Sequence, residues 1–154
     1  MFIPQCLGGG PHRRWRVRNS SQAYLPYPDA YNFACAELKW RNITGTEIST
    51  GGTPFASSSA SGYTPAAAHD NVINMASMWL ANTTNIGEWI AYDFGAPVFP
   101  HTLYFSGLPY GTDGWQVDSI AIDFSDNGTD WTQYKEFTGL TGTWAASAYK
   151  NFLL

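Results

Sequence analysis

Charge is scarce in this sequence. Only 13% of its residues are Asp, Glu, Lys or Arg, and acidic groups outnumber basic ones, leaving a formal charge of -4 and a pI near 5.1. Such a surface repels a phosphate backbone, which argues against nucleic acid as a partner. Arg13, Arg14, Arg16 and Arg18 do crowd one segment, and they read as solvated residues flanking an edge strand. Long apolar runs are missing as well: no stretch approaches the ~20 residues that a membrane helix needs, which argues against membrane insertion. The opening Met1 to Gly8 has no cationic start and too short an apolar run for a secretory signal, so the chain reads as a soluble protein made without one.

Cysteine and histidine are sparse too. The two cysteines, Cys6 and Cys35, leave open whether they pair, because sequence alone does not set their distance. Three scattered histidines, His12, His69 and His101, belong to no nucleophile elbow, zinc motif or glycine-rich phosphate loop. Carboxylate pairs such as Asp113 with Asp118 or Asp123 with Asp126 are indistinguishable from turn and strand-edge residues. No catalytic residue is assigned, and the chain reads as a non-enzyme.

What the sequence does have is aromatics and turn formers: 16% Phe, Trp and Tyr, with 15 Gly and 9 Pro in 154 residues. That usage indicates one all-β domain with a single core. The segment Gly87-Glu88-Trp89-Ile90-Ala91-Tyr92-Asp93-Phe94-Gly95 has large side chains on both faces and predicts a central strand, closed by Ala96-Pro97. Strands are also predicted over His12 to Arg18, Phe33 to Trp40, Pro100 to Gly107, Gln116 to Phe124, Trp131 to Phe137 and Ala148 to Leu154. Asn127-Gly128 marks a hairpin between two of them. Four sequons, at Asn19, Asn42, Asn82 and Asn127, read as turn residues. Thr44 to Pro65, rich in Gly, Ser, Thr and Pro, reads as a long surface connection, and one helical turn is expected before Trp79. Residues 1–11, with Gly8-Gly9-Gly10-Pro11, form a flexible N-terminal lead to a domain over 12–154. About eight strands suit a jelly roll or related sandwich.

Several short pieces occur in a telling order. Ala56-Ser57-Ser58-Ser59, Ala68-His69-Asp70-Asn71, Trp79, Trp89 to Gly95 and Phe124 to Trp131 together resemble the discoidin (coagulation factor C-type) domain family, a galactose-binding-like β-sandwich with many carbohydrate-binding members. Arg14 to Arg18 and Ala34 to Leu38 resemble that family's closing strands, here placed first as in a circular permutation. Arrangements of this kind resemble discoidin-like domains of bacteriophage structural proteins. The resemblance therefore implies a virion location, many copies or a homo-oligomer, and a cell-surface glycan or other virion proteins as partners.

It also implies sites. Asp70 matches the family's calcium-loop aspartate and Glu37 its strand glutamate, with Ser77 keeping a hydroxyl two residues before Trp79. Against calcium stands the reading in which Asp70 caps a turn and Glu37 faces water. Sugar binding needs an aromatic platform with polar groups beside it. Tyr110, Trp115, Asp113, Trp144 and His69 are the chosen candidates, from a wider supply that includes Tyr24, Tyr27, Tyr63, Arg41 and Asn82. Trp79, Trp89 and Trp131 sit in the family's scaffold motifs and are assigned to the core.

Overall fold

Strict alternation in the first strand organises the molecule. In β1 (His12–Asn19), Trp15, Val17 and Asn19 point inward and are buried, while Arg14, Arg16 and Arg18 point out. The computed structural model describes residues 9–24, 30–107, 116–145 and 147–154, with backbone alone at 23, 24, 30, 31 and 116. Cys6 lies outside the described residues, as do residues 1–8 of the N-terminal lead, and Cys35 is a buried thiol whose pKa burial pushes well up.

Seven further strands of four residues or more follow: β5 (Glu37–Arg41), β6 (Thr53–Ala56), β8 (Trp89–Val98), β9 (Thr102–Ser106), β11 (Ile120–Ser125), β12 (Thr132–Phe137) and β13 (Lys150–Leu153). Five two-residue ladders complete the set, β2 (Ala23–Tyr24), β3 (Ala30–Tyr31), β4 (Ala34–Cys35), β7 (Trp79–Leu80) and β10 (Gln116–Val117), along with one 3-10 turn over Pro65–His69. A five-stranded antiparallel sheet runs β12-β11-β1-β8-β6, and a three-stranded one runs β13-β9-β5. Between them lies an aromatic core in which Trp15 and Trp40 sit 6.4 Å apart and Phe105, Ile90, Leu103, Ile120, Ile122 and Phe152 are buried. This is the all-β, galactose-binding-like sandwich expected; removing one such large core side chain costs about 3–5 kcal/mol.

Four expectations need correction. β1 is not an edge: it pairs with β11 on one side and β8 on the other, so its arginines are paired rather than freely solvated. Arg14 meets Asp93 at 2.9 Å, and Arg16 and Arg18 meet the buried Asp123 at 2.7 and 3.0 Å. β8 does not stop at Ala96-Pro97 but continues to Val98, because a register shift between His12 and Arg14 spares the proline's missing N–H. The connection over Thr44 to Pro65 contains β6, which pairs with β8 from Thr53↔Asp93 to Ala56↔Ile90. Trp79 is fully buried, but Trp89 and Trp131 are half-buried on the outward face of the five-stranded sheet, where Arg16 lies 5.2 and 4.3 Å from their ring centroids. Asn127-Gly128 does sit in a hairpin, yet as part of a bend over 126–130 held by the Asn127 side chain, whose Oδ1 accepts from the Thr129 and Asp130 N–H groups at 2.9 Å.

Candidate functional site

The loop between the 3-10 turn and β7 is built by its own side chains. Asp70 Oδ1 accepts from Val72 N at 2.8 Å and its Oδ2 accepts from the Ser77 hydroxyl. Asn74 Oδ1 accepts from the N–H groups of Ala76 and Ser77 at 2.8 and 2.7 Å. Asn71, at φ 66, turns the chain so that its N–H donates to Glu37 Oε2 at 2.9 Å. Glu37, Asp70 and Ser77 are therefore brought together, at the start of β5.

Glu37 is 1% exposed, which overturns the alternative in which it faces water. Burial pushes its carboxyl up to about 7; Asp70 adds to the rise, and Lys39 and the N–H groups of Asn71 and Val72 oppose it. Among the described residues no three His, Cys, Asp or Glu side chains cluster around one point, so any cation here would take its further ligands from hydroxyl and loop carbonyl oxygens. An all-oxygen donor set with two carboxylates and an irregular loop fits calcium. A buried carboxyl held up towards neutrality beside a second carboxylate is also the field that a divalent cation relieves.

The sugar candidates fall in three places. Tyr110, Asp113 and Trp115 lie outside the described residues, as does Tyr27. What is described is the ladder that flanks them: Tyr24 pairs with both Ala30 and Gln116, so both bounds of segment 25–29 and the C-terminal bound of segment 108–115 are hydrogen-bonded neighbours. Trp144 lies under this ladder and is only 8% exposed. Its indole N–H donates to the Val117 carbonyl at 2.9 Å, and its ring packs on Phe105 and Phe152. That ring belongs to the core and offers no open platform.

His69 stands elsewhere. It ends the 3-10 turn with its ring 4.8 Å from that of Tyr92, and burial holds its pKa down to about 4 against the pull of the Leu38 backbone and Asp70. It forms part of the wall of a cleft of about 400 Å³ with Glu47, Ser49, Gly51, Gly52 and Asn71. Of those residues Asn71 belonged to the piece Ala68-His69-Asp70-Asn71 that resembles the family, and the Gly51-Gly52 pair indicated a turn before it indicated a site.

A second set of residues that sequence reasoning missed as a surface is Phe55, Trp89 and Trp131. Their rings contact one another at centroid separations of 5.5 to 6.3 Å, over Arg16 and the buried Asp123. Outward positions Ala91 and Ala121 are fully buried beneath this layer. Compared with known families, residues 55–153 match the model described as F5/8 type C domain. The match opens inside β6, and β1, which precedes it, lies between β11 and β8 in the five-stranded sheet. No curated protein and no solved structure matches the chain at a significant level.

Proposed function

The chain belongs to the F5/8 type C domain family, and from that premise we propose that it is a non-catalytic glycan-binding module of a phage virion, contributing to attachment at the host surface. The observation that carries the reading is the β2–β3–β10 ladder, which anchors side by side both bounds of one segment and the C-terminal bound of another, whose sequences hold Tyr27, Tyr110, Asp113 and Trp115. Aromatic faces take the apolar side of a pyranose, and Asp113 takes its hydroxyls. Each such site is weak, and many copies on a particle supply avidity. Calcium, held by Glu37, Asp70 and Ser77, would stiffen the loop over 70–77 and neutralise the carboxylates of Asp70 and Glu37.

A second reading has its own support. The half-buried Trp89, Trp131 and Phe55 with Arg16 are residue types enriched at protein interfaces, which favours a structural virion component that binds other virion proteins. A glycan array and whole-cell binding assay of the multimerised chain separates the two. Saturable binding lost in Tyr110→Ala or Trp115→Ala supports attachment; no binding to any glycan or candidate host cell leaves the structural role.

A further inference from the structure

The cleft beside His69 is lined by residues of the β5–β6 loop, β6, the 3-10 turn and β8, and it shares Asn71 with the loop over 70–77. Among the described residues neither ring nitrogen of His69 has a hydrogen-bond partner, and both are shut off from bulk water. The Leu38 backbone is near enough to favour the charged ring, yet it makes no hydrogen bond of acceptable geometry. Shut off in this way, the two nitrogens are out of a ligand's reach, and the ring contributes its carbon surface to the cleft wall.

The remaining walls are polar and in place. Glu47 faces Lys39 at 3.5 Å and accepts from the Ser49 hydroxyl at 3.3 Å. Asn71 Oδ1 is taken by Lys39, which leaves its NH₂ group as a donor. Gly52 presses against β8 so closely that a Cβ would stand 2.3 Å from the Asp93 carbonyl, and its N–H donates to the Tyr92 hydroxyl at 2.9 Å. The hydroxyl proton of Tyr92 remains to be donated. The cleft's volume of about 400 Å³ lies within the usual span of small-ligand sites.

We infer that this cleft is a second binding site, for a neutral polyhydroxylated ligand of the size of one hexose. Glu47 accepts from ligand hydroxyls, Asn71 donates to them, and the half-buried His69 ring closes one wall. A neutral ligand is favoured because Lys39 already balances Glu47 at the rim. An anionic sugar would bring a second negative charge beside Glu47, with Lys39 alone to balance both.

Ligand-observed NMR of the full chain with galactose, glucose and N-acetylglucosamine tests the assignment. At least one should give a saturable signal. Glu47→Ala and Asn71→Gly should each weaken it roughly tenfold, the effect of one lost hydrogen bond to or from a ligand hydroxyl. Asn71→Gly is the safer variant for folding, because glycine adopts that positive φ without strain. No signal from any of the three hexoses, or a signal that persists in both variants, overturns the proposal. Array and cell binding in Trp115→Ala reports on the other site, so failure of one reading is distinguishable from failure of the other.

Discussion

Two buried glutamates, Glu88 and Glu37, show how differently one residue type is used in the two halves of this sandwich. Glu88 is 8% exposed and Glu37 is 1% exposed, so both carboxyls face the same desolvation problem. Burial pushes the Glu88 carboxyl up, but the hydroxyls of Ser57, Thr83 and Ser58 outweigh it and leave the pKa below its ordinary value. The Ser58 and Thr83 contacts measure 2.8 and 2.5 Å. Glu37 has backbone N–H groups and Lys39 instead, with Asp70 pushing the other way, and it ends near 7. Glu88 is thus a satisfied scaffold joining β8 to the serine-rich run after β6. Glu37 has backbone partners too weak to offset burial and the nearby Asp70, and a carboxyl held near neutrality in that way suits a cation ligand.

The largest expected effect breaks the scaffold side. Glu88→Ala strands three hydroxyls that now share one carboxylate and should cost about 3 kcal/mol, read as a lower urea midpoint with unchanged slope. In a chain of this length that is a fall of roughly 10 °C in Tm. A loss within error of zero would mean that water replaces the carboxylate, and that the serine run is a connection after all.

Calcium comes next and bears on the other glutamate. Added at about a hundred times its Kd, it should raise stability by about 2.7 kcal/mol, and chelator should remove the gain. Glu37→Gln should abolish the response while leaving the chelated protein folded. An unchanged melt in wild type would remove Glu37, Asp70 and Ser77 from the list of ligands.

How much of this was legible follows from the same contrast. Period-two alternation made β1, β9 and β11 readable, because burial of Trp15, Val17, Leu103, Phe105, Ile120 and Ile122 depends only on which face each residue occupies. Partner identity was not: nothing in the sequence says that Arg16 and Arg18 meet Asp123, over a hundred residues away, so β1 read as an edge. Ser57 and Ser58 read as part of a long surface connection because composition does not reveal that a buried carboxylate needs hydroxyls. Asp70, Glu37 and Ser77 were found through family resemblance, not spacing, and the structure does bring them together. The cleft of Glu47, His69 and Asn71 was not readable as a unit: His69 and Asn71 stood in a piece that resembles the family, but nothing in the sequence joins them to Glu47 on the β5–β6 loop.

The smallest effect sharpens the comparison through pH, measured in chelator. Because the folded Glu37 holds its proton up to about 7 while the unfolded one releases it near 4.5, the folded state binds more protons between those values. Stability from this residue is therefore full below pH 4.5 and is lost as pH rises through 7. Glu88 has the opposite sign: its lowered pKa gives stability above about 4.5 that is lost as pH falls through the folded value. Glu88 stays ionised in the folded state at both pH 5 and pH 7.5, but His69, held near 4 when folded and near 6.5 when unfolded, gains stability over the same interval, so Glu37 is read from the difference between wild type and Glu37→Gln. Between those pH values wild type should lose about 1–2 kcal/mol relative to Glu37→Gln, less than full linkage because Lys39 and the loop over 70–77 relax around the ionised carboxyl. Glu37→Gln, neutral at both pH values, should keep the His69 gain alone. Calcium should reverse the wild-type loss, since the cation stabilises the carboxylate that chelated protein resists forming. If wild type and Glu37→Gln show the same pH dependence, Glu37 is ionised throughout, and the two buried glutamates are alike after all.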